Sequence, residues 1–135
     1  PEDPIGSGMI GQLAEPEPVE NFLQRLKDAF GTGCIRYTPF SGEHIKRVAV
    51  CGGSGSFLLE EAIAAKADAF VTGDVTHHKF FDAQDKLLYC DIGHWESEQF
   101  TADLIYNYLV ADSEKFANFA LYKSGVNTNP VRYFS

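Results

Sequence analysis

The first part of the chain passes from a turn-rich stretch to a helical pattern. Residues 1–17 are rich in Pro, Gly and Glu, which excludes a long helix and predicts an extended segment. Residues 18–30 place apolar side chains at three- and four-residue spacing, which predicts an amphipathic helix. Pro18 suits the first turn of that helix and Gly31 its C-terminal cap. The apolar side chains of the extended segment that we expect against a core are Ile5, Met9, Ile10 and Leu13.

From residue 34 onward the pattern changes to short apolar runs that alternate with helical segments. The predicted strands are 34–37, 45–51, 67–72, 86–92 and 119–123, and the predicted helices are 56–66, 76–85 and 94–110. Strands that alternate with helices over short connections predict right-handed crossovers and a largely parallel sheet. We therefore expect an α/β fold with helices on both faces of the sheet, formed by residues 18–135 after the extended segment 1–17.

Composition narrows the classes of partner. The formal net charge of -8 argues against binding to a nucleic-acid polymer, which requires a basic surface. No apolar run approaches the roughly 20 residues that span a bilayer, and no signal-peptide pattern opens the chain, so we expect no membrane partner. The three cysteines, Cys34, Cys51 and Cys90, lie far apart without a CxxC pair. This spacing predicts reduced, buried thiols in a cytoplasmic protein.

Polar residues with catalytic potential follow three of the predicted strands. The loops are residues 52–56, 73–78 and 91–98, and they carry three of the four histidines. Because the carboxyl ends of parallel strands lie at one edge of a sheet, we expect these loops to meet there. His44 precedes a strand, at the opposite edge, and receives no role.

The third loop carries a candidate metal-ligand pair. His94 and Glu98 are four residues apart at the start of a predicted helix, so both side chains lie on one helical face, where they can bind one transition-metal ion. Two ligands do not complete a site, so others must come from elsewhere. The alternative is an acidic residue favoured by the helix dipole beside an ordinary surface histidine.

The second loop offers a histidine pair and an acid. His77 and His78 cannot both point the same way from an extended segment, so one is expected to face the cleft, while the other packs or faces solvent. Asp74 has two possible roles that the sequence leaves open. It can bind an imidazole and fix its tautomer, or it can cap the helix that begins near Thr76.

The first loop is a candidate anion site. Gly53, Ser54, Gly55 and Ser56 join a strand to a helix, an arrangement that leaves backbone N–H groups available for an anion. No Lys follows, as it would in a P-loop, and Leu58 replaces the third glycine of a dinucleotide fingerprint. Tight packing of the turn is the alternative explanation. Beside a metal ion, an anion-binding loop suits a phosphorylated substrate.

These motifs resemble one known family. GSGMIG at 6–11, VCGGSGS at 50–56, TGDVTHH at 72–78 and GHWESE at 93–98 are similar, in this order, to the C-terminal part of the GTP cyclohydrolase I type 2 homologue family, also called the NIF-three-like family. The resemblance implies half of a duplicated three-layer α/β fold. It also implies a homo-oligomer, a hexamer when full length, with metal sites that face an interior cavity.

The resemblance also implies a site with two divalent ions, zinc, iron or manganese, per full-length subunit. Its C-terminal ligands map onto His94 and Glu98, and a His-His pair and an Asp in the N-terminal half supply the others. His77 and His78 would line the pocket without necessarily binding metal. The chain starts at Pro1 rather than Met, and we expect a C-terminal fragment that lacks a complete site by itself.

Three functions are compatible with these motifs. The first is a metal-dependent hydrolase that acts on a nucleotide or another phosphorylated small molecule, with GTP implied by the resemblance alone. In that case His77 or His78 would transfer protons, since imidazole titrates near neutral pH. The second is a non-catalytic metal-binding or regulatory scaffold. The third is an α/β domain without a site of its own.

Overall fold

The structure, a computed structural model, describes residues 6–111 and 120–134 of the chain. The chain divides into two units, residues 1–97 and 98–135. The first unit contains the strands β1 (Met9–Pro18), β2 (Arg36–Tyr37), β3 (His44–Ser54), β4 (Ala69–Gly73) and β5 (Leu88–Asp91), and the helices α1 (Val19–Phe30), α2 (Leu59–Ala64) and α3 (His77–Ala83). Helix α4 (His94–Glu98) ends at the first residue of the second unit, which contains α5 (Thr101–Ala111).

The described strands form one sheet in the order β1-β3-β4-β5-β2. The three central strands are parallel, and each edge strand joins its neighbour in the antiparallel direction. The predicted α/β fold with a largely parallel sheet is therefore confirmed for the centre, with antiparallel strands added at both edges. Parallel β3, β4 and β5 place the loops that follow them at the same edge of the sheet.

Both faces of the sheet are covered, which explains the near-continuous apolar character of the central strands. Every residue of β4 and of β5 is buried. On one face, Phe70 and Tyr89 stack with ring centroids 5.4 Å apart, beneath side chains of α2 and α3. On the other face, Phe22 and Leu26 of α1 pack on Val71 and its neighbours in the sheet.

The first helix closely follows its prediction. Helix α1 starts at Val19, and Gly31 after its last residue has a φ of 58°, the left-handed conformation expected of a glycine cap. The predicted helix 56–66 is a 3₁₀ turn over Ser56–Leu58 followed by α2. Among the described residues, no helix has the length and apolar character needed to cross a bilayer.

Several predictions in the peripheral parts of the chain are wrong. The predicted helix 94–110 is interrupted by a turn at Gln99 and Phe100, and Asp103 in the first turn of α5 favours a new helix start. Residues 120–123 of the predicted strand 119–123 are not a strand, and residue 119 lies outside the described part. β-propensity alone does not form a strand without a pairing partner.

Some apolar residues are also more exposed than predicted. Met9 is 78% exposed and Ile10 is 42% exposed, because they lie on an edge strand with a neighbour on one side only. Leu13 packs against the core as expected, and Ile5 lies outside the described residues. All three cysteines are free thiols, but only Cys90 is buried as predicted. Cys51 is partly buried, and Cys34, just before the short edge strand β2, is exposed.

Candidate functional site

The three polar loops at the carboxyl ends of β3, β4 and β5 are in direct contact. The Gly53 N–H donates to Ser97 Oγ at 2.8 Å, which joins the first loop to the third. A Cβ added to Gly73 would lie 2.9 Å from both the backbone N and the Cα of His94. Only a glycine at position 73 therefore permits the second and third loops to approach this closely.

His94 is positioned by a carboxylate from the second loop. Its Nδ1 lies 2.6 Å from Oδ2 of Asp74, and about half of each side chain is exposed. Because an ionised carboxylate only accepts hydrogen bonds, this contact requires the proton on Nδ1. A neutral imidazole with its proton on Nδ1 would carry its lone pair on Nε2, the arrangement found in metal-binding histidines whose other nitrogen donates to a carboxylate.

The two roles left open for Asp74 are distinguished by its contacts. Thr76 precedes α3, and no side-chain hydrogen bond caps that helix. Asp74 contacts His94 instead, from a backbone with a φ of 55°, a conformation that is uncommon for residues other than glycine. Among non-glycine residues Asp adopts this conformation comparatively readily, so the turn is compatible with the side chain that contacts His94.

Asp91 is a site residue to which the sequence assigned no role. Its side chain is 5% exposed at the end of β5. Oδ2 accepts from the Val75 N–H at 3.0 Å and from Arg36 Nη2, and Oδ1 accepts from the Gly93 N–H at 3.0 Å. One carboxylate thus fixes the second and third loops. An acidic residue directly after four apolar strand positions was the available signal, because a buried charge needs partners.

Two backbone N–H groups of the glycine loop donate to side-chain hydroxyls of the protein itself. Besides the bond from Gly53 to Ser97, the Gly55 N–H donates to Thr72 Oγ1 at 2.8 Å, and that hydroxyl donates to the Gly53 carbonyl at 3.0 Å. A Cβ on Gly55 would lie 2.6 Å from Thr72 Oγ1. Close packing is therefore present at this turn. The anion-binding role of residues 53–56 stays a prediction.

The histidine pair lies on a helix rather than on an extended segment. His77 and His78 are the first two residues of α3, and their ring centroids are 5.8 Å apart. The His77 ring is edge-on to Phe81, with 5.3 Å between centroids. The expected extended segment is therefore wrong, and the two rings lie edge-on to each other at an interplanar angle of 70°. The role of either histidine stays a prediction.

The predicted ligands His94 and Glu98 are the first and last residues of α4. Within the described ranges 6–111 and 120–134, no three side chains of His, Cys, Asp or Glu form a group that could hold a metal ion. The assignment of His94 and Glu98 as metal ligands stays a prediction.

Comparison with known proteins identifies the family. A model of the family Duf34/NIF3 (NGG1p interacting factor 3) matches residues 2–130. The chain belongs to the Duf34/NIF3 family. It is similar to a GTP cyclohydrolase 1 type 2 homolog of Staphylococcus epidermidis, with 35% identity over 134 residues that cover 98% of this chain and 36% of the relative. A protein of the same name from Mycobacterium bovis is 39% identical over 102 residues, which cover 70% of this chain and 27% of the relative.

Solved structures of Duf34/NIF3-related proteins share the fold. A Bacillus cereus protein related to NIF3 superposes with a TM-score of 0.85 at 26% identity, covering 96% of this chain and 36% of that protein. The Staphylococcus aureus protein SA1388 gives a TM-score of 0.84 at 28% identity, covering 94% of this chain and 37% of that protein. The chain thus spans about a third of the length of these relatives.

Proposed function

We propose that this chain supplies His94 to a divalent-metal site of a hydrolase that acts on a nucleotide or another phosphorylated small molecule. The observation that carries the proposal is the 2.6 Å contact between His94 Nδ1 and Asp74 Oδ2. A carboxylate that orients an imidazole is the usual neighbour of a histidine ligand, since it fixes the tautomer and makes the other nitrogen more basic. The Asp74–His94 contact supports His94 as one candidate ligand, and the described residues alone do not complete a metal site.

The remaining ligands of the proposed site come from prediction. Glu98 follows from its helical spacing to His94, and the family resemblance assigns the others to the N-terminal half. The resemblance also sets the number of ions at two per full-length subunit, with zinc, iron and manganese as candidates. When bound, divalent ions supply a nucleophile by lowering the pKa of a coordinated water.

The other residues of the edge have supporting roles in this proposal. His77 or His78, at the start of α3, would transfer a proton during the reaction. The loop of residues 53–56 would contact phosphate oxygens. The name of the relatives makes GTP the first nucleotide to test, and because this chain covers 36% of the S. epidermidis relative, that substrate remains a proposal.

The test is metal content, measured by elemental analysis of the natural full-length protein. We expect His94→Ala to lose most of the bound metal, because the variant removes a ligand. His44→Ala is the matched control, since His44 is an exposed histidine at the start of β3, the opposite end from the loops. Unchanged metal in His94→Ala, or equal loss in both variants, would refute the ligand assignment.

Turnover distinguishes catalysis from metal storage. The metal-loaded protein is incubated with GTP, other nucleotides and simple phosphate esters, and product formation is followed by chromatography. Hydrolysis that is lost on metal removal supports the hydrolase. Stoichiometric metal without turnover of any of these compounds would favour the alternative, a non-catalytic metal-binding scaffold.

We also propose the assembly and location implied by the resemblance. The full-length protein would form a hexamer, and the three free cysteines would suit a reducing cytoplasm. Sedimentation equilibrium of the full-length protein tests the first of these, and a mass other than that of six subunits would contradict it.

A further inference from the structure

A cavity of about 400 Å³ lies beside the candidate site, between the edge strand β2 and helix α3. It lies within the size range of small-molecule sites, roughly 300–1,000 Å³. Two elements supply the side chains that matter for a ligand. One is β2, with Arg36 and Tyr37. The other is α3 and the residue just after it, which contribute His77, Phe80, Phe81 and Gln84 at helical spacing. The sequence motifs did not predict this cavity.

The lining combines aromatic surfaces with a few polar groups. Tyr37 is 52% exposed and Phe81 is 61% exposed, whereas Phe80 is anchored against Tyr89 of the core, with 5.6 Å between ring centroids. Such surfaces suit a planar ring, because stacking on aromatic side chains is favourable for every nucleobase.

Arg36 fixes the polar character of the cavity. Its Nη2 donates to the Asp91 carboxylate and to the Val75 carbonyl at 2.9 Å, and its guanidinium carbon lies 5.5 Å from the centre of the Phe80 ring. Among the described residues, Nε and Nη1 of Arg36 make no hydrogen bond. The guanidinium is therefore held in place with donors available to a ligand.

The charge balance favours a neutral ring over a phosphate in this cavity. The positive charge of Arg36 is already paired with the buried carboxylate of Asp91, so a phosphate would meet little net positive charge. Guanidinium N–H groups only donate, so the ligand must present acceptors along its edge. A purine base meets these conditions, because it is planar, uncharged and has ring nitrogens or a carbonyl as acceptors.

We propose that the cavity lined by Arg36, Phe81 and Gln84 binds the purine base of a nucleoside or nucleotide. The segment from Asp74 to His77 borders both the candidate metal ligand and the cavity. A role of this cavity in substrate selection therefore rests on the proposed function. The binding itself requires no metal, so it is tested separately.

The experiment is titration calorimetry of guanosine and adenosine into the natural full-length protein, stripped of metal by a chelator. We expect binding of at least one nucleoside and none of ribose. Phe81→Ala should weaken that binding by about fivefold or more, since the variant removes a stacking surface. Phe81→Tyr, which keeps the ring, should restore it.

Phe57→Ala is the matched control, because Phe57 is 66% exposed and lies outside the cavity. It should leave nucleoside binding unchanged. Any one of three results overturns the proposal: no binding of either nucleoside at millimolar concentration, equal weakening by Phe57→Ala and Phe81→Ala, or a change in oligomeric state in Phe81→Ala. The last result would assign the cavity to a contact between subunits. None of these results affects the metal proposal.

Discussion

Asp91 offers the sharpest test of how the candidate site is held in shape. Its carboxylate accepts hydrogen bonds from the Val75 N–H, the Gly93 N–H and Arg36 Nη2. Val75 follows Asp74, and Gly93 precedes His94, so the carboxylate fixes both sides of the Asp74–His94 contact. Asp91→Asn keeps the size of the side chain but replaces one acceptor oxygen by an NH₂ donor.

The size of the free-energy loss in Asp91→Asn follows from the groups that lose a hydrogen-bond partner. At least one backbone N–H would face the new donor, and a hydrogen bond to a charged group contributes about 1.5–3 kcal/mol. Removal of one partner of a fully buried ion pair costs about 3–5 kcal/mol. However, 57% of the Arg36 side chain is exposed, so solvent compensates part of that loss. We expect the free energy of opening of the two loops to fall by about 2–3 kcal/mol.

The assay is amide hydrogen exchange of the Val75 and Gly93 amides in the full-length protein. A loss of this size corresponds to exchange that is about 30- to 150-fold faster. Asp82→Asn is the control, because Asp82 forms a surface pair with Lys79 in which each side chain is nearly half exposed, and such pairs contribute little. If both amides in Asp91→Asn exchange within about threefold of the parent protein, the carboxylate does not hold the loops and the reasoning fails.

Two further predictions concern the packing of the first unit. Gly55→Ala should lower the free energy of unfolding in urea by about 1–3 kcal/mol, because the added Cβ would lie 2.6 Å from the Cβ of Cys51. Gly11→Ala is the control and should change little, since no atom lies within 4 Å of its added Cβ. Equal effects of the two variants would contradict the packing argument. Burial raises the pKa of the Cys90 thiol and of the Tyr89 phenol, so the unfolded chain loses these protons first as pH rises. Stability should therefore fall from about pH 8.5 upward, and less steeply above pH 10 in Tyr89→Phe; an unfolding midpoint that stays constant to pH 11 would refute this.

The central strands could be predicted because β4 and β5 are buried on both faces and β3 is buried in part. The predicted strands 45–51, 67–72 and 86–92 contain most of β3, β4 and β5, since strands at the centre of a parallel sheet are rich in apolar residues. The edge strands have no such pattern. β1 was predicted only as an extended segment, since Pro and Gly are frequent in its sequence and most of its side chains are exposed. Its pairing with β3 depends on hydrogen bonds that side-chain patterns do not reveal.

The candidate site was predictable as a set of loops but not as a set of contacts. Parallel strands dictate that residues 52–56, 73–78 and 91–98 share an edge, so the proximity of Asp74 and His94 followed from topology. The topology does not predict which groups form hydrogen bonds with each other, because a backbone N–H donates to whichever acceptor the fold brings closest. The glycine loop shows the consequence: the hydroxyls of Ser97 and Thr72 occupy two N–H groups that a sequence motif assigns to an anion. An anion at this loop must therefore displace one of these hydroxyls or bind through other groups, and either route lowers its affinity relative to a loop with all its donors available.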